Sequence, residues 1–265
     1  MDASTKPRVA IHKFSSCDGC QLAFLNLGPA LLQLNELVEL VHFLEAGMID
    51  PGAKVDIAFV EGSLSTSEDA ARIRQIREQS RYLITIGACA TSGGLQALRN
   101  FADTAAWSKA IYASPEYIDS LDKVEPIAAA VTVDLELWGC PVNSQQVITA
   151  IRSLLLGVAP TTDMNKVCLE CKRQQTVCTL VSKGEPCLGG ITRSGCGALC
   201  PSFGRDCYGC YGPAENTNAA ALADCLSGLG LSPAAITRRL QYIHSQHEAL
   251  LSTADTWQIK HKVSS

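Results

Sequence analysis

No stretch of this 265-residue chain approaches the run of roughly eighteen consecutive apolar residues that a membrane-spanning helix requires. Its opening, MDASTKPRVAIHKF, offers neither an apolar signal core nor a twin arginine, so a cytoplasmic protein is expected. A surplus of positive charge is also missing: the net charge of −4 provides no basic footprint for nucleic acid. No strand-like segment is followed by G-x-G-x-x-G, which excludes the usual cradle for a dinucleotide. Neither a fixed-period repeat nor a low-complexity linker interrupts the sequence. Hydrophobic residues at 47% and charged residues at 18% supply a sizeable core and exclude general disorder.

What the chain has in excess is cysteine, thirteen in all. Eight crowd between Cys168 and Cys210, four are scattered as Cys17, Cys20, Cys89 and Cys140, and Cys225 belongs to neither set. Disulfides, structural zinc and iron–sulfur clusters could each use so many thiols. A reducing cytosol disfavours disulfides. Zinc and iron–sulfur clusters both take C-x-x-C pairs, so spacing alone leaves these two open.

The first 157 residues alternate short apolar strands with helical patterns. Strands are expected at Arg8 to Phe14, Leu37 to Phe43, Val55 to Val60, Tyr82 to Ile86 and Leu135 to Trp138, as buried parallel strands should read. Ser65 and Glu68 suggest a capping box before a helix carrying Ala70, Ile73 and Ile76. Asn143 can cap a helix with Val147, Ile151 and Leu154 on one face. This rhythm is that of an α/β, doubly wound parallel sheet. On it, Cys17 and Cys20 follow the first strand, Cys89 the fourth and Cys140 the fifth. All four lie beyond strand carboxyl ends, where open α/β sheets bind ligands. Glycines beside them (Gly19, Gly87, Gly93, Gly94, Gly139) permit close approach. Helices starting near Gln21 and Asn143 are expected to point free amides toward a shared anionic group.

Cys17-x-x-Cys20, Gly87-Ala-Cys89-Ala, Trp138-Gly-Cys140-Pro141 and the later cysteine-rich block together resemble the small subunit of nickel-iron hydrogenases. The likeness runs from about Arg8 to Pro213 and is to the cytosolic, multi-subunit group that includes the sulfhydrogenase delta subunit and the coenzyme-F420-nonreducing hydrogenase small subunit. The related quinone-reductase subunit of respiratory complex I characteristically has adjacent cysteines and lacks the later block. The resemblance implies a flavodoxin-like domain over residues 1–160, a loop-rich iron-sulfur domain over 161–213 and a helical C-terminal segment over 214–265. It further implies that Cys17, Cys20, Cys89 and Cys140 hold a proximal 4Fe-4S cluster. The later eight divide by arithmetic into Cys168, Cys171, Cys178 and Cys187 for a distal 4Fe-4S cluster and Cys196, Cys200, Cys207 and Cys210 for a medial one. Cys187 stands nine residues from both Cys178 and Cys196, so spacing does not assign it.

By the same resemblance this chain carries no catalytic residue. Its partner large subunit holds the Ni-Fe centre, and electrons from H2 oxidation leave through the three clusters toward a flavin- and iron–sulfur-containing diaphorase that reduces NAD(P). An F420-nonreducing type feeding a heterodisulfide reductase is the alternative within the family. A zinc-stabilised, non-enzymatic interaction module is the alternative from another class. The apolar stretch Gln21 to Leu34, broken at Gly28-Pro29, and the Cys17 loop are the expected large-subunit interface. His12 reads as a packed or exposed strand residue, His244 and His247 as surface histidines and Cys225 as a buried thiol. Tyr208 and Tyr211 are expected to shield a cluster, and Arg193, Arg205 and Lys183 to offset its charge or stand solvated. Glu61 either orients the proximal site or caps the loop after its strand. The terminal segment Ala214 to Ser265 is expected to be helical, especially over Pro233 to Leu251, with a role in docking or packing.

Overall fold

The computed structural model describes residues 6–262, with side chains through residue 259. The first five and last three residues of the expected end segments lie outside the described residues. The chain divides into two compact units, one running to Thr161 and the other beginning at Thr162.

The first unit is built on five parallel strands: β1 (Arg8–Lys13), β2 (Glu39–Phe43), β3 (Val55–Glu61), β4 (Ser80–Ile86) and β5 (Leu135–Leu137). Their order is β2-β1-β3-β4-β5, the flavodoxin-like doubly wound arrangement, and the winding reverses between β1 and β3. Among the described residues six α-helices accompany them: α1 (Gly19–Leu25), α2 (Pro29–Leu37), α3 (Ser67–Gln79), α4 (Gly87–Ser92), α5 (Thr104–Ile111) and α6 (Ser144–Leu155). Side chains alternate across the sheet. Val9, Ile11, Ile57, Phe59, Ile84 and Ile86 face one core with Phe24, Val147 and Ile151, whereas Ala10, Ala58, Val60 and Leu83 face another with Ile73 and Ile76. Each fully buried large aliphatic side chain contributes about 1.5–3 kcal/mol. Phe24 of α1 meets Phe43 and Phe59 edge-on at ring-centroid distances of 6.0 and 5.3 Å, which pins α1 to the sheet.

Local details depart from the sequence reading where tertiary partners decide them. Leu37 ends α2, so β2 starts at Glu39. The stretch Gln21 to Leu34 forms two helices because Gly28 takes φ 56 and Pro29 opens α2 as its first residue. The capping box belongs to Thr66 and Asp69: Thr66 Oγ1 accepts from the Asp69 amide at 3.1 Å, and Asp69 Oδ2 accepts from the amides of Thr66 and Ser65, both at 3.0 Å. Asn143 caps α6 as expected, with Oδ1 accepting from Gln145 N at 2.8 Å.

The second unit holds α7 (Val167–Arg173), α8 (Thr179–Lys183), α9 (Leu199–Ser202), α10 (Ala219–Gly228), α11 (Pro233–Leu240) and α12 (Glu248–Lys262). Leu188 and Ile191 of the cysteine-rich segment share a core with Ala223, Leu226, Ile236, Leu240, Leu250 and Trp257, so the C-terminal helices and that segment form one body. The helical reading of Pro233 to Leu251 holds for α11 and the start of α12, between which the chain turns to bury Ile243, His244 and Ser245. Among the described residues no helix is long and apolar enough to cross a membrane.

His12 on β1 is buried and lies against His42 of β2, ring centroids 4.7 Å apart. Burial first, then His42 and Arg72, pushes His12 down to about 3. It is a packed strand residue held neutral. Because the folded value lies below the ordinary 6.5, the stability linked to His12 is complete above pH 6.5 and is lost as pH falls toward 3. Exchanging His12→Gln is expected to narrow the loss of thermal stability between pH 7 and pH 4.5 by about 2–3 kcal/mol, read from unfolding midpoints of both proteins across that range. Removing the aromatic anchor, Phe24→Ala, should cost about 3–5 kcal/mol in the same assay, with Phe24→Leu retaining most of it.

Candidate metal centres

The carboxyl edge of the first sheet gathers the scattered thiols. Beyond β1 the chain is tied to the loop after β3: Phe14 N donates to Glu61 O at 2.8 Å, and Ser15 and Ser63 exchange backbone bonds of 3.3 and 3.0 Å. This fixes the approach to Cys17, which is exposed, and to Cys20, which is buried in the first turn of α1. Glu61, the last residue of β3, is 2% exposed. Its carboxylate accepts from Cys20 N at 3.0 Å and from Gln21 N at 3.1 Å. Burial raises its pKa, and these two amides oppose that rise. The sequence expectation that α1 offers free amides to a bound group is corrected here for Cys20 and Gln21, whose amides Glu61 occupies. Asn143 likewise takes the amide of Gln145 at the start of α6. Of the two readings of Glu61, the side chain takes the first: it orients the residue that carries a candidate ligand.

Cys89 sits on α4 directly after β4, and Cys140 follows β5 after Gly139. The thiol of Cys89 donates to Gln96 Oε1 at 3.0 Å, and the amide of Val142 donates to Cys20 Sγ at 3.4 Å. The four thiols are near enough to repel one another when charged. Cys20 is raised by burial first, then by Glu61, Cys89 and Cys140. Cys89 is pushed up to about 12 by burial, then by Cys140, Cys17 and Glu61. Cys140 is raised by burial, then by Cys17 and Glu61. Residues from three strand ends, up to 123 positions apart, thus meet at one place. Glycine makes the approach possible: a Cβ on Gly87 would collide with Cys20 Sγ, and one on Gly94, at φ +59, would stand 2.7–2.9 Å from Cys89 Sγ, Cα and N.

In the second unit, Cys168 and Cys171 are one helical turn apart on α7, Cys178 precedes α8, and Cys187 lies in the following loop. Burial and then Cys168, Cys187, Cys178 and Cys196 push Cys171 up to about 11. Cys168 is raised by burial, then by Cys187 and Cys178, against Lys172 and Lys166. A Cβ at Gly189 would be 3.4 Å from Cys187 Sγ and 3.7 Å from Cys168 Sγ. These contacts put Cys187 near Cys168 and Cys171, and the same Gly189 Cβ would be 3.7 Å from Cys207 Cβ, so Cys187 has neighbours in both of the sets divided by arithmetic.

The remaining four form two associated pairs. Cys196 is raised by burial and, among its causes, by Glu170 and Cys200, while Cys207, deeply buried, is raised by burial, Cys187 and Cys210. The amide of Cys207 donates to Cys187 Sγ at 3.3 Å, and the amide of Gly209 to Cys207 Sγ at 3.5 Å. Val167, Ala198 and Cys207 are buried together, with Cys171, Cys187 and Cys196 packed against them. Thiols of both sets thus pack on one small core.

Other expectations change. Cys225 is exposed, because α10 buries Ala219, Ala223 and Leu226 and turns Cys225 away from that stripe. His244 is 1% exposed: its Nε2 lies 3.0 Å from the Cys210 carbonyl oxygen, and burial brings it down to about 4. His247 is half-buried. Tyr211 is buried, and Tyr208 lies between the guanidinium groups of Arg205 and Arg239, 5.8 and 4.9 Å from its ring centroid. Lys183 donates to Gly204 O at 2.8 Å, Arg205 to Tyr208 Oη at 2.9 Å and Arg193 to Pro213 O at 3.3 Å. Arg239, which pairs with Asp206, also lies close enough to feel the charge of Cys187. Sequence reasoning missed Arg239, and it missed Glu170 on α7 and Gln174 at that helix's C-cap. The signal for Glu170 was a carboxylate set inside C-L-E-C, between two thiols.

Residues 17–154 match the protein family described as NADH ubiquinone oxidoreductase, 20 Kd subunit, a span that starts at Cys17 and includes Glu61, Cys89 and Cys140. The sulfhydrogenase 2 subunit delta of Pyrococcus furiosus is 33% identical over 234 residues, covering 88% of this chain and 98% of that one. A vhu subunit of the F420-non-reducing hydrogenase of Methanocaldococcus jannaschii is 30% identical over 241 residues, covering 79% of this chain and 83% of its own. A solved NAD+-reducing [NiFe]-hydrogenase in the H2-reduced state contains a chain 29% identical to this one, with a TM-score of 0.54 over 59% of this chain and 94% of its own. The chain belongs to this family of oxidoreductase subunits. Within it the chain is a nickel-iron hydrogenase small subunit, an oxidoreductase component that works as part of a complex.

Gly94→Ala should force Cys89 aside and lower stability by about 1–3 kcal/mol. Gly52→Ala, where nothing lies within 4 Å, is the control and should leave the unfolding midpoint nearly unchanged.

Proposed function

We propose that this chain is the electron-transfer subunit of a cytoplasmic hydrogenase and binds three 4Fe-4S clusters. Cys17, Cys20, Cys89 and Cys140 would hold the proximal cluster, Cys168, Cys171, Cys178 and Cys187 the distal one, and Cys196, Cys200, Cys207 and Cys210 the medial one. The observation that carries this reading is the meeting of four thiols from separate strand ends beside a winding reversal, where glycines leave room for a bulky group. An all-sulfur donor set suits iron–sulfur clusters. When bound, the clusters supply one-electron carriers between the large subunit's nickel-iron centre and an external acceptor.

The protein's own part is positioning and electrostatics. Glu61 fixes the backbone of Cys20. The Val142, Cys207 and Gly209 amides aimed at sulfur are the kind of hydrogen bond that stabilises thiolate and sets potential. Buried thiols with raised pKa values resist ionising alone, and metal binding overcomes that resistance by taking the thiolate. Among the described residues no three Cys, His, Asp or Glu side chains are grouped to hold a single metal ion.

Leu22, two residues after Cys20 on α1, and Leu32 on α2 are exposed, which supports the stretch Gln21 to Leu34 as the large-subunit contact. The likeness to an NAD+-reducing enzyme favours a flavin/iron–sulfur diaphorase as acceptor. The likeness to F420-non-reducing hydrogenases favours a heterodisulfide reductase as the second reading.

Anaerobically isolated complex should be brown, with about twelve irons assigned to this subunit after the large subunit's iron is subtracted. Stoichiometric zinc with no iron in this subunit would overturn the cluster reading.

A further inference from the structure

α7 does two jobs at once. One side carries Cys168 and Cys171, and the neighbouring side carries Glu170, with Gln174, the C-cap residue, one turn further on. The Glu170 carboxylate accepts from three amides of the loop 195–198: Gly195 N at 2.8 Å and Gly197 N at 3.2 Å on Oε1, and Ala198 N at 3.0 Å on Oε2. The same Oε2 lies 3.9 Å from Cys196 Sγ. Gln174 completes the grip, its Nε2 donating to Gly197 O at 2.8 Å and its Oε1 accepting from Ser202 Oγ at 2.8 Å. The loop needs such a hold, because Ala198 stands at φ 50, in the left-handed region that a residue with a Cβ enters at a cost.

We infer that Glu170 is the positioning residue that fixes Cys196 relative to Cys168 and Cys171, with Gln174 as its support, so that one short helix sets the geometry of both later thiol groups. A carboxylate accepting several amides is a strong, directional anchor in a partly buried loop. Three of the four amides of the loop 195–198 converge on this one carboxylate. The role is distinct from ligation: Glu170 touches the backbone around one candidate ligand and is flanked in sequence by two others.

The inference rests on the cluster reading for its consequence in metal content, and two readouts keep them separable. In the full complex, Glu170→Ala should lower the iron of this subunit by about four atoms, from about twelve to about eight, with the spectroscopic signals of the Cys17 group unchanged. Glu170→Gln, which keeps one accepting oxygen, should retain more iron than Glu170→Ala, and Gln174→Ala should fall between wild type and Glu170→Ala. Independently of metal, amide hydrogen exchange at Gly195, Gly197 and Ala198 should be at least about tenfold faster in Glu170→Ala, since protection follows from a closed hydrogen bond. Full iron with unaltered exchange in Glu170→Ala would overturn the inference, and so would equal loss of iron from all thiol groups. A wild-type complex without iron would defeat the cluster reading, while the exchange measurement would still decide the role of Glu170.

Discussion

A buried carboxylate bridging β3 and α1 is the constraint on which the first site depends. Burying Glu61 carries a desolvation cost of several kcal/mol, and the structure offsets it with two charge-assisted bonds to the amides of Cys20 and Gln21. Those bonds cross the point where the sheet reverses its winding. They fix the first turn of α1, hence Cys20, against the two central strands, while Phe24 anchors the same helix one turn later. The thiols of Cys89 and Cys140 arrive from β4 and β5 on backbones that glycines allow to come close. A site assembled from separate strand ends is only as precise as the sheet beneath it, and this one stands on strands buried on both faces.

The second unit solves the same problem with less regular structure. Its thiols lie on short helices and loops, and their positions are fixed by side chains gripping backbone: Glu170 from α7, Gln174 from its C-cap, Lys183 at Gly204, Arg239 at the Pro186 carbonyl. The C-terminal helices are part of this support. His244, inserted where α11 gives way to α12, lies against the Cys210 carbonyl, and Arg239 of α11 brings positive charge toward Cys187. What reads as an appendage in the sequence is the back wall of the cysteine-rich segment.

The sheet was legible because β1, β3 and β4 are short apolar runs whose burial leaves little alternative, and because parallel strands deliver the residues after them to one edge. That edge made Cys17, Cys20, Cys89 and Cys140 readable as one group. Side-chain partners were less legible. The amides at the head of α1 read as free because nothing local in the sequence ties them to Glu61, forty residues away. The capping box was displaced by one residue because Ser65 and Thr66 are equally good candidates and Asp69 accepts from the amides of both. Cys225 and His244 were exchanged between inside and outside: the stripe of α10 that meets the core and the break after Leu240 are both decided by packing against Leu188 and Ile191. Glu170 was obscured by the thiols on either side of it, since its partners are backbone amides that no sequence pattern marks.

The central claim is that four thiols spread over nearly half of the chain act as one site. Changing Cys17, Cys20, Cys89 and Cys140 to Ser one at a time in the complex, and recording the electron paramagnetic resonance of the reduced subunit, tests it directly. The same single signal should be lost or altered in all four variants, with hydrogen-dependent dye reduction abolished and the signals of the second unit retained. Four variants that each disturbed a different signal, or none, would contradict the account.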